Sequence, residues 1–129
     1  MAAPDIPTLV TQFVENHYLP DYDRNRGIIS KYYHPQAMLT FESENHVGSE
    51  AIQAKLNSLP FQEIRHDKPN VRVQPSVTDG FVIALITGHF EASGLDKPFG
   101  FSQVFQLKVP DTLQADQFLI CNDVFLLAF

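Results

Sequence analysis

The sequence is short of cysteine, of positive charge and of long apolar runs, and each shortage closes off a class of protein. A lone cysteine, Cys121, excludes an internal disulfide framework and fits a reducing compartment. Set in an apolar run near the C-terminus, it reads as a small strand or core residue. Nine lysines and arginines against fifteen acids leave a net charge of −6, which argues against a broad phosphate-binding surface and against nucleic acid as a partner. An acidic surface suits a basic protein partner, and it serves solubility equally well. No apolar run approaches the ~20 residues of a membrane span, so no membrane partner is expected. The segment MAAPDIPTLV has no basic stretch leading into an apolar one, so no secretory signal is expected and the chain reads as soluble and intracellular. Also missing are a cysteine–histidine cluster spaced for a metal, a glycine-rich phosphate loop and a nucleophile elbow. No metal or cofactor is expected, and nothing in the sequence demands an enzyme.

What is present is one domain's worth of core. With 129 residues, 44% of them apolar, residues 1–129 make a single globular domain. Leu9, Val10, Phe13, Val14 and His17 recur at helical spacing, predicting a helix over 5–19 with Thr8 as its cap, Ile6 exposed in or ahead of its first turn, and Pro20 as its end or kink. A turn over 21–26 and a short, weak helix over 28–33 follow, the latter stopped by His34-Pro35. Met38 to Phe41 is a short strand, Glu42 to Val47 a polar turn, and Gly48 to Leu59 an amphipathic helix with Ala51, Ile52, Lys55, Leu56 and Leu59 on one stripe. Pro60 turns the chain into a returning strand with Phe61 at its entry.

Beyond this point the pattern is of strands. Val71 to Val77 is a strand broken by Pro75, and Phe81 to Ala92 is the longest strand, its first half apolar on both parities. Phe99 to Val109 alternates, with Phe99, Phe101, Phe105 and Leu107 on one parity, and Phe118 to Ala128 is the last strand. Helices first and antiparallel strands after predict an α+β fold, a curved antiparallel sheet with about three helices packed on one face. Too few helices remain to cover the second face, so a second copy of the sheet is its simplest partner and a homodimer is expected.

Three groups of residues carry candidate chemistry. Glu42 and Glu44 form either a solvated turn or an acidic rim beside an apolar pocket. His17 and His66 are either satisfied structural histidines or a general base paired with Asp123 or Glu42 inside a cavity. Of the eleven phenylalanines, Phe41, Phe61 and Phe99 stand at the ends of elements, where a cone-shaped fold opens.

LTFE (Leu39 to Glu42), the spacing to Gly48, KLNSLPFQEIRH (Lys55 to His66), FSQVFQL (Phe101 to Leu107) and NDVF (Asn122 to Phe125) together resemble the nuclear transport factor 2 family over nearly the whole chain. That resemblance implies a cone-like, cystatin-like roll with an apolar cavity, dimerising through its sheet. It implies a carrier, not an enzyme, that binds the GTPase Ran in its GDP form and the phenylalanine-glycine repeats of nucleoporins. Such a carrier imports Ran, in cytoplasm and nucleus and enriched at the nuclear pore. Carried over by position, Phe41, Leu59, Phe61, Ile64, Phe99 and Val124 would form the Ran-binding cavity wall, with Phe41 where many members have tryptophan. Glu42 matches the family's rim glutamate. Asp96, in EASGLDKPF, is the one clearly placed counterpart of two closely spaced aspartates in a loop here one residue longer. Ile6 aligns with the family's exposed aromatic for nucleoporin repeats. Two alternatives stay open: an export-adaptor or peptide-binding relative without Ran binding, and a small-molecule isomerase or dehydratase using the same cavity.

Overall fold

The computed structural model describes residues 5–60 and 63–128. Its first element is one helix in three segments: α1 (Ile6–Gln12), a π-helical stretch (Phe13–Tyr18) and α2 (Leu19–Arg24). Asp5 caps it, accepting the Thr8 N–H at 2.9 Å, so Thr8 is the donor of the cap and not the cap itself. The sequence ends or kinks this helix at Pro20; the chain stays helical to Arg24, with a π-helical irregularity just before the proline. The reason lies just upstream, where the Leu19 N–H reaches the Val14 carbonyl, five residues back. That extra residue resets the register and places Pro20 in the first turn of α2, where its missing N–H costs nothing. Ile6, expected to be exposed, is partly buried against the core.

The weak second helix forms as a 3₁₀ helix (Arg26–Tyr32) and leads directly into β1 (Tyr33–Phe41). His34-Pro35 therefore lies within a strand and does not merely stop a helix. Pairing with the last strand is irregular between Tyr33 and Met38, and Pro35 sits in that gap, where no ladder N–H is required. The expected polar turn narrows to Glu42-Ser43 and is followed by β2 (Glu44–Val47), which pairs back on β1. Gly48, at φ 93°, then opens α3 (Ser49–Asn57), whose Ile52 and Leu56 are buried.

The remaining strands are β3 (Ile64–His66), β4 (Asn70–Pro75), β5 (Phe81–Ala92), β6 (Phe99–Lys108) and β7 (Leu119–Ala128), with a 3₁₀ turn (Ala115–Gln117) before β7. The seven-stranded sheet runs β2-β1-β7-β6-β5-β3, with β4 also pairing β5. It is curved but mixed, not purely antiparallel, because β1 and β7 run parallel. Hairpins force their neighbours antiparallel, whereas the first and last strands are joined by no hairpin and are free of that constraint.

One face of the sheet and the helices enclose the core. Phe101, Phe105 and Leu107 of β6 point inward, as their shared parity predicts, and Tyr18 meets Phe105 edge-on at 5.1 Å between centroids. Each such ring contributes about 1.5–3 kcal/mol by leaving water. On the other face Met38, Leu85, Val104, Val124 and Leu126 stand exposed across four strands. An apolar strip spread over adjacent strands is the kind of surface that marks a contact site.

Candidate functional site

At the open end of the cone, where α3, β1, β3, β5 and β7 converge, lies a cleft of about 260 Å³. Phe41 and Phe125 form its base, stacked with centroids 4.7 Å apart and planes inclined by 13°. They meet because Phe41↔Phe125 is the last paired register of the parallel β1–β7 ladder. Leu59 and Pro60 after α3, Ile64 and His66 of β3, and Phe90 and Leu127 complete the walls. Lys55 lays its stem along the rim, with Nζ 5.1 Å from the Phe41 ring centroid and 2.7 Å from a Glu44 oxygen. Lys55, followed by His46, holds the Glu44 carboxyl below its ordinary range.

His66 stands at the back, its ring edge-on to Phe101 at 5.3 Å and Tyr22 at 5.6 Å. One carboxylate orients it: Asp23 of α2 contacts His66 Nδ1 at 2.6 Å and accepts the His66 backbone N–H at 2.9 Å. Because β3 has only three residues and one strand neighbour, Asp23 also satisfies an edge donor that the sheet leaves open.

Beneath the Phe41–Phe125 stack lies a polar network. The Tyr33 hydroxyl donates to Asp123 Oδ2 at 2.6 Å, Gln103 Nε2 donates to Oδ1 at 2.8 Å, and the Tyr18 and Tyr33 hydroxyls are 2.6 Å apart. Burial pushes the Asp123 carboxyl up to about 7, against the pull of these two bonds, and pushes both tyrosines further above their ordinary range. The void beside Asp123 is about 10 Å³, no larger than a single water molecule. An acid near neutrality is thus present, but among the described residues no substrate-sized space reaches it.

Of the expected wall, Phe41, Leu59 and Ile64 come together in the cleft. Phe61 lies outside the described residues. Phe99 is one ring removed, 6.2 Å from Phe90. Val124 points away from the cleft and is 50% exposed on the outer face. A bulge in β7 explains this: Leu107 pairs with Ile120 but Gln106 with Asn122. Cys121 is the extra residue, so Ile120 and Asp123 are both inward and the parity flips. Glu42 sits at the cleft edge, but its Oε1 is bound to the Leu127 N–H at 2.5 Å. Asp96 is exposed in the β5–β6 loop and does not line the cleft. Ile6 lies far away, in a groove of about 280 Å³ with Val73, Pro75 and Phe81.

The proposed catalytic pairs do not form, since His66 takes Asp23 and His17 lines a separate groove with Lys31 and Asp116. Sequence reasoning missed Tyr22, Phe90, Phe125 and Leu127 as wall residues. The signal for the last two was their parity with Asp123, visible only once the bulge is known.

Comparison with known proteins adds to this geometry. The family model described as "Nuclear transport factor 2 (NTF2) domain" matches residues 9–127. Nuclear transport factor 2 of Neurospora crassa is 37% identical over 94% of this chain and 94% of its own. That of Oryza sativa subsp. japonica is 36% identical over 97% and 98%. Among solved structures, nuclear transport factor 2 from Cryptosporidium parvum superposes with a TM-score of 0.83 at 34% identity, covering 99% of this chain and 98% of that one. A ketosteroid isomerase-like protein from Erwinia carotovora atroseptica shares the fold at 13% identity and a TM-score of 0.67, over 95% and 96%.

Proposed function

The chain belongs to the nuclear transport factor 2 family, and from that premise we propose that it is a non-enzymatic carrier that imports Ran in its GDP form into the nucleus. The observation that carries this reading is the aromatic cleft of about 260 Å³, closed at its base by Phe41 and Phe125 and edged by fixed charges. An aromatic side chain of the GTPase enters it, and burying that ring contributes about 1.5–3 kcal/mol. Glu42 and Asp96 meet basic groups around it, setting orientation more than affinity. Phe99 supports the wall through Phe90, 6.2 Å away between centroids, whereas Val124, on the outer face, takes no part in it. The result is binding weak enough to release, as a carrier needs.

Nucleoporin phenylalanine-glycine repeats engage a second surface that includes Ile6 and the groove beside it. Transit between cytoplasm and nucleus, with enrichment at the pore, follows from the two activities together. The exposed strip of Met38, Leu85, Val104, Val124 and Leu126 carries no charge, and a second copy of the same sheet is the occupant that fits it.

Glu42→Lys tests the reading: the variant stays dimeric and loses capture of GDP-loaded Ran, and undiminished capture counts against it. A second reading, an adaptor relative that binds repeats without Ran, draws on the position of Asp96, outside the cleft and beside Lys97. Repeat binding without Ran binding selects it. The isomerase or dehydratase reading has little support, because the acid it would use, Asp123, is sealed beneath the aromatic stack.

A further inference from the structure

Glu42 combines two unusual features. It is a non-glycine residue in the left-handed region, at φ 57°, a conformation that an ordinary side chain adopts only when its surroundings enforce it. It also makes two bonds to the same strand: its backbone N–H donates to the Phe125 carbonyl at 3.0 Å, and its carboxylate Oε1 accepts the Leu127 N–H at 2.5 Å. The last β1–β7 pair is Phe41↔Phe125, after which β1 turns away into β2. Leu127 is therefore the first β7 residue whose N–H on that side has no carbonyl opposite it, and the Glu42 side chain stands where that carbonyl would be. Leu127 itself lines the cleft.

We infer that Glu42 is a positioning residue: its carboxylate continues the ladder that β1 abandons and fixes the end of β7, with Leu127, as one wall of the cleft. Its use in docking rests on the reading of the cleft given above, whereas the latch itself is a property of the free protein. With Oε1 bound to Leu127, the carboxylate is held in one orientation before any partner arrives. The same side chain therefore shapes the apolar wall and aims its second oxygen, which is preorganisation in the sense of cost removed before binding.

Amide hydrogen exchange on the full chain tests the latch directly. A Glu42→Gln side chain still offers Oε1 to Leu127, so exchange at that amide is expected to stay within about threefold of the parent. Glu42→Ala removes the acceptor, and Glu42→Gly removes it while relieving the backbone conformation. Both are expected to speed Leu127 exchange by about tenfold or more, with the Leu107 amide in the core unchanged. Capture of GDP-loaded Ran should fall further in Glu42→Ala and Glu42→Gly, which lose latch and charge together, than in Glu42→Gln, which loses the charge alone. Unchanged Leu127 exchange in Glu42→Ala, or Glu42→Gln losing exchange protection and capture as fully as Glu42→Ala, would overturn the inference. Failure of the parent protein to capture Ran, with the exchange pattern intact, would instead remove the docking reading and leave the latch standing.

Discussion

Replacing Asp123 with asparagine isolates the cost of burying an ionisable group beneath the cleft. The carboxyl is 2% exposed, and burial raises its pKa from 3.8 to about 7 in the folded protein. Between those values the folded state holds a proton that the unfolded state has released. The sign follows: stability from this group is greatest below about pH 4, falls as pH rises towards 7, and levels off above it. A shift of about three units corresponds to roughly 4 kcal/mol in all, of which about 2–3 kcal/mol falls between pH 5 and pH 8. Asparagine keeps the shape and can still accept from Gln103 or Tyr33, but it does not titrate. Urea unfolding of both proteins at several pH values gives the comparison, and the difference between them cancels every other titrating group. Asp123→Asn should gain on the parent by about 2–3 kcal/mol from pH 5 to pH 8. A difference that stays flat over that range would refute the assignment of a raised carboxyl at this position.

Two further outcomes are expected. Asp23→Ala removes both bonds to His66, on its ring and on its backbone N–H, and should cost about 2–3 kcal/mol in urea unfolding with faster exchange across β3; an unchanged midpoint would mean the pair is idle. Val104→Asp places a charge in the middle of the exposed apolar strip, and light scattering should find a monomer with an unchanged circular dichroism spectrum. A persistent dimer would move the interface elsewhere.

The parts of this fold that local chemistry dictates were legible in the sequence. The alternation of Phe101, Phe105 and Leu107 marked the inner face of β6, and the strand expected over Phe81 to Ala92, with an unbroken apolar run to Ile86, matches the observed ends of β5. Gly48 and Pro60 bracketed α3. What was hidden depended on partners distant in sequence. Pro20 looked like a helix end or kink, and which of the two it makes depends on the π-helical register before it, which is set by packing and not by propensity. The parallel β1–β7 ladder joins residues more than eighty positions apart, and no local pattern announces it. The same holds in the cleft: Phe41, Leu59 and Ile64 were placed there by resemblance, while the bulge at Cys121 turned Val124 out and Phe125 in. Glu42 read as a free rim charge because its bond to Leu127 spans 85 positions.

The most direct measurement titrates the purified protein against Ran loaded with GDP and, in parallel, with a non-hydrolysable GTP analogue. A carrier that docks an aromatic side chain of the GDP form in the Phe41–Phe125 cleft predicts saturable binding to the GDP form and at least tenfold weaker binding to the other, about 1.4 kcal/mol or more apart. No binding to either form, or equal binding to both, would contradict the proposal that this cleft serves Ran import.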